Sequence, residues 1–140
     1  LYFHGPTFQV LDSVQRSGNG LLGRLRKGMG KITADHHELI STPLLVELCF
    51  QTAGVWEAGS TGVLALPHSI GSLTVYQHHV NGKAVYAEVR PEERDGKLCF
   101  DCRVLDEDGQ VFVVLKDYAT VALPYPPEAD LVAPFKQLVK

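Results

Sequence analysis

The run from Pro43 to Ala58 constrains this chain most, because it is apolar on almost every side. Thr42 can cap its start, Pro43 suits the first helical position and Gly59 follows its end, so the run predicts a helix. At about 1.5 Å per residue, that helix would be about 24 Å long. Leu44, Leu45, Val46, Leu48, Cys49, Phe50, Ala53, Val55 and Trp56 leave it little wettable surface. Such a helix has to be wrapped by other elements.

The wrapping is also readable. Two runs between Val10 and Arg26 flank Ser17-Gly18-Asn19-Gly20, a β-hairpin signal. Residues 27–41 show no periodicity and read as a loop. Beyond the helix, strand-like runs fall at Val63–Leu66, Ile70–His79, Ala84–Arg90, Leu98–Leu105 and Val111–Leu123. Pro67, Asn81-Gly82, Asp95-Gly96 and Asp106-Glu107-Asp108-Gly109 separate them. One prominent helix with short-turn strands predicts an α+β fold in which an antiparallel sheet curls around one long central helix. That is the hot-dog architecture, expected over residues 1–123. Pro124, Pro126, Pro127 and Pro134 mark residues 124–140 as a proline-rich C-terminal segment or linker.

Composition narrows the function. A chain of 140 residues suits one domain, and its net charge of −3 offers no electrostatic footprint for nucleic acid or an anionic membrane. No apolar run approaches the roughly 20 residues of a membrane-spanning helix. The start carries no secretory signal and no initiator methionine, as expected of a piece of a longer polypeptide. Three cysteines make no disulfide framework, which favours a reducing, cytoplasmic setting. Cys99 and Cys102 form a C-x-x-C within a strand-like run, so they should point to opposite faces as reduced thiols. No metal ligand set and no cofactor motif is present in the sequence, so none is expected. The Asp106–Gly109 cluster lacks the remaining ligands of a calcium loop and reads as a hairpin turn.

Against the apolar helix, Glu47 and Gln51 stand out, four residues apart and hence on one face. Gly54 and Ala58 continue that stripe with small residues, which predicts the floor of a groove. Burial pushes a carboxyl towards neutrality, as a general acid requires, and an amide beside it can hold its rotamer. A carboxylate that only reaches the sheet rim and pairs with a lysine or backbone amide fits the same spacing, and periodicity leaves both readings open.

Three segments carry a family resemblance. His4-Gly5-Pro6-Thr7-Phe8-Gln9 is similar to the Y-G-P-x-F-Q motif of polyketide synthase dehydratase domains. Pro43-Leu44-Leu45-Val46-Glu47-Leu48-Cys49-Phe50-Gln51 resembles their P-x-L-L-D-x-x-x-Q helix, and Leu66-Pro67-His68-Ser69-Ile70-Gly71 resembles the strand entry that follows. The order matches the second of the two hot-dog repeats in such domains. The resemblance implies dehydration of a 3-hydroxyacyl thioester carried on the phosphopantetheine arm of an acyl carrier protein. A histidine from the first repeat removes the α-proton, and a helix carboxylate of the second protonates the departing hydroxyl. Glu47 would be that acid and Gln51 its orienting partner, with Gly5, Pro6, Phe8 and Gln9 binding substrate near the mouth of the acyl tunnel.

Three departures matter. Glu47 replaces the family's aspartate, His4 replaces its tyrosine, and the first repeat's H-x-x-x-G-x-x-x-x-P signature is missing. Only His78 has a glycine four residues on, Gly82, and Ala87 stands in the proline's place. The base is therefore expected from an upstream hot-dog half, and a chain lacking that half is expected to self-associate. His36-His37 before the helix, His78-His79 in a hairpin, and Arg24, Arg26, Lys27 and Lys31 read as solvated groups, the basic ones a possible contact for an acidic carrier. Two other functions fit the residues: a homodimeric hot-dog acyl thioesterase using Glu47, and a non-catalytic pseudo-dehydratase half that shapes a tunnel or scaffolds its neighbours.

Overall fold

A computed structural model describes residues 5–29, 42–77, 80 and 82–140, and the backbone of residues 33–34 and 37–38. Expectations for His4, Lys31, His36, the His37 side chain, His78, His79 and Asn81 lie outside the described residues.

A 3-10 turn (Pro6–Phe8) leads into the hairpin β1 (Leu11–Ser17) and β2 (Gly20–Leu25). Gly18 takes φ +59° at its tip, a left-handed value that glycine adopts freely. Two short strands, β3 (Thr33–Ala34) and β4 (His37–Glu38), pair within the stretch expected to be loop. The long helix α1 (Thr42–Thr61) follows. Then come β5 (Ala65–Ser69), β6 (Ser72–Val75), β7 (Val85–Arg94), β8 (Lys97–Asp106) and β9 (Val111–Ala122).

The main sheet runs β1-β2-β7-β8-β9-β5, and β6 also pairs with β9. Every pairing in it is antiparallel, and the sheet curls around α1 as the apolar helix requires. The core is made where α1 meets the inner sheet face. Leu44, Leu45, Leu48, Cys49 and Ala53 of α1 pack with Val85, Ala87, Val89, Phe100, Cys102, Val104, Phe112, Val113, Leu115 and Tyr118. Phe100 sits between two aromatic partners, edge-on to Trp56 at 5.7 Å and tilted against Tyr118 at 6.0 Å.

The outer face is charged and interlocked. Asp101 accepts hydrogen bonds from Arg94, Lys116 and the Asp117 backbone N–H. Partial burial pushes its carboxyl up, but those three donors outweigh the burial and hold it at about 2. Cys99 lies on this side beside Arg94, while Cys102 faces inward to Cys49, so the C-x-x-C residues diverge as strand geometry requires.

The helix termini differ from expectation. Thr42 does not cap α1: its hydroxyl is buried without a hydrogen-bond partner among the described residues. α1 also runs through Gly59 to Thr61, and Gly62 ends it with φ +75° and an N–H donated to the Ala58 carbonyl. Gly59 serves packing instead. A second helix, α2 (Ala129–Val139), lies against it so closely that a Cβ at position 59 would stand 2.4 Å from the Phe135 carbonyl oxygen. Ala58, Leu64 and Val132 form a separate small core there, flanked by Leu123 and Phe135. Proline density alone did not reveal this helix within the C-terminal segment.

Candidate functional site

Glu47 and Gln51 occupy successive turns of α1 on the side facing the N-terminal arm. The Gln51 side-chain amide donates to Glu47 Oε1 at 2.8 Å and also to the Phe8 carbonyl. Its own oxygen accepts from the Leu11 backbone N–H at 3.3 Å. One amide thus joins the helix acid, the 3-10 turn and the first strand. Using both its donor and acceptor fixes the Gln51 rotamer, and through it the carboxyl orientation. Glu47 and Gln51 are both half-buried, not sealed in the core.

The arm residues divide into two groups. Gly5, Pro6, Phe8 and Gln9 are all exposed, and the Phe8 N–H bonds to the Gly5 carbonyl at 2.9 Å to close the turn. Phe8 enters the site through its backbone carbonyl. Gln9 lines a groove of about 560 Å³ with Gln51, Leu11, Val14 and Val55. Glu47, Gly5 and Pro6 are not among its lining residues. The expected floor of Gly54 and Ala58 is also displaced. α2 covers Ala58, and the helix presents Gln51 and Val55 to the groove instead, one full turn apart.

A family model described as the polyketide synthase dehydratase N-terminal domain matches residues 1–129. The chain belongs to the polyketide synthase dehydratase family. Solved dehydratases share its fold. An inactive histidine-to-phenylalanine mutant of the CurJ dehydratase, in complex with a compound, aligns with a TM-score of 0.64 at 16% identity, covering 91% of this chain and 44% of that one. A fusion DH domain aligns at 0.58 and 18%, covering 94% and 45%. An inactive aspartate-to-asparagine mutant of the CurK dehydratase aligns at 0.58 and 15%, covering 87% and 43%. The chain therefore spans less than half the length of these dehydratases, one hot dog of the domain. A comparison with curated proteins finds no match.

This dehydratase half holds a second helix acid that sequence reading did not single out. Glu57 is buried on α1 and accepts a hydrogen bond from the Thr120 hydroxyl of β9 at 2.8 Å. Burial raises its carboxyl above the ordinary value, and the Thr120 bond offsets part of that rise. Its position beside Trp56 in an otherwise apolar run was the available signal. Because the fold favours the protonated form, Glu57 supports stability fully below the unfolded value near 4.5 and less as pH rises through the raised folded value. Glu57→Gln keeps an acceptor for Thr120 and cannot ionise. Urea unfolding across pH should show its stability advantage over the parent growing from acidic to neutral pH. A pH-independent difference would contradict this assignment.

Among the described residues, no cluster of three or more histidine, cysteine or acidic side chains could hold a metal ion. Deep in the core, Cys102 and burial together push the Cys49 thiol well above its usual range, so it is held as an inert thiol.

Proposed function

We propose that this chain is the second hot dog of a dehydratase that acts on a 3-hydroxyacyl group held as a thioester on an acyl carrier protein. The observation that carries the reading is the 2.8 Å bond from Gln51 to Glu47, made by an amide that also binds Phe8 of the arm and Leu11 of β1. A base withdraws the α-proton, the new C=C bond forms as the Cβ–O bond breaks, and Glu47 gives its proton to the departing hydroxyl, which leaves as water. Gln51 positions the acid and helps form the wall beside it.

The matching family model is described as an N-terminal domain. The acid-and-amide helix argues for the second repeat instead, since no histidine in the sequence carries the first repeat's glycine and proline signature. The similar CurJ and CurK structures are inactive mutants at a histidine and at an aspartate. Those two descriptions support a mechanism with two groups, of which this chain supplies one. The isolated chain should therefore not dehydrate 3-hydroxyacyl-pantetheine above background, whereas the complete domain containing it should. Robust turnover by the chain alone would overturn the reading, because one carboxyl would then be running both proton transfers.

The missing base also implies a mating surface. The two sheet edges differ in chemistry. β1 presents Asp12, Ser13, Gln15 and Arg16, which protect an edge from pairing, whereas the β5–β6 edge exposes Leu66, Ile70, Leu73 and Tyr76. The other half, or a second copy of this chain in its absence, covers the β5–β6 edge. Sedimentation should show the chain self-associating, and Leu73→Lys should shift it to monomer. A strict monomer at high concentration would contradict this assignment.

A further inference from the structure

The family match ends at residue 129, where α2 begins, yet α2 is built firmly into the fold. Val132 is 2% exposed, and the Phe135 carbonyl sits on Gly59 where no side chain could fit. With that side anchored, Pro134, Phe135 and Leu138 line the groove of about 560 Å³ whose other walls are Gln9, Leu11, Val14, Gln51 and Val55. The groove is thus continuous with the amide that holds Glu47. Its size falls within the range of roughly 300–1,000 Å³ usual for small-molecule sites. Its charged lining residues, Asp12 and Arg26, are of opposite sign, so they do not select a charged ligand.

We propose that α2 is a specificity wall: the groove takes the apolar acyl tail of the thioester substrate, and Pro134, Phe135 and Leu138 set the length of tail it admits. This rests on the dehydratase reading above, because the tail must enter past Gln51 for its hydroxyl to meet Glu47. Leu138 is the residue to test, since it is half-buried and takes no part in the Ala58–Val132 cluster that anchors the helix.

The 140-residue chain can be titrated by calorimetry with 3-hydroxybutyryl-, 3-hydroxyoctanoyl- and 3-hydroxydodecanoyl-pantetheine. Leu138→Trp should weaken the dodecanoyl ligand about tenfold or more while leaving the butyryl ligand within about twofold, and Leu138→Ala should move preference towards the longer tail. Thermal unfolding of both variants verifies that α2 remains docked. Equal weakening at all lengths, no change in length preference, or no binding by the parent chain would each overturn the proposal. Glu47→Gln separates the two claims. It should lower kcat for dehydration in the complete domain by about 10²–10⁴-fold while preserving the length order of binding, so loss of either result identifies which claim has failed.

Discussion

Replacing Phe100 with alanine should destabilise the chain by about 3–5 kcal/mol, the range for emptying a large aromatic site in a packed core. Phe100 is fully buried and touches both layers of the fold: Trp56 reaches it from α1 and Tyr118 from β9. Its loss removes two aromatic contacts and opens a cavity that the long helix and sheet cannot both close upon. Domains of this kind hold only about 5–15 kcal/mol in total, so the variant should lose a large share of its stability. Denaturant unfolding measures this directly. Phe100→Leu should be affected less, because it refills part of the volume. A loss below about 1 kcal/mol in Phe100→Ala would mean that α1 and the sheet are not packed together at this point.

The wrapped helix was legible because its composition allows no other environment. Leu44, Leu45, Leu48, Cys49 and Ala53 need a concave sheet, and the antiparallel strands supply one, although Pro67, expected to separate two strands, lies inside β5 opposite Thr120. The Asp95-Gly96 turn is a clear case, with both residues at positive φ, as a two-residue hairpin turn demands. Helix ends were less legible. Gly59 has the appearance of a terminator, but the chain uses it for close approach of α2, a tertiary reason that no local pattern contains. α2 itself was obscured by prolines, although Val132, Phe135 and Val139 recur at helical spacing.

The site shows the same division. The four-residue spacing of Glu47 and Gln51 indicated a shared face, and the two side chains do hydrogen-bond. Spacing could not show that Gln51 also holds the Phe8 carbonyl and the Leu11 N–H, because those contacts join residues about forty apart in sequence. Nor could it show which side of α1 stays open. That is decided by α2, which covers Ala58 and leaves Gln51 and Val55 to line the groove.

The central claim is that the Glu47 carboxyl, held by Gln51, delivers a proton. The direct test measures kcat for 3-hydroxyacyl thioester dehydration by the complete dehydratase domain carrying Glu47→Gln or Glu47→Asp. Glu47→Gln retains a hydrogen-bonding group of the same size next to Gln51 but cannot donate an acid proton, so kcat should fall by about 10²–10⁴-fold with the unfolding midpoint nearly unchanged. Glu47→Asp keeps the proton but withdraws it by one methylene, a displacement near 1 Å, and should fall between the parent and Glu47→Gln. Unchanged kcat in both variants would show that this carboxyl takes no part in the reaction.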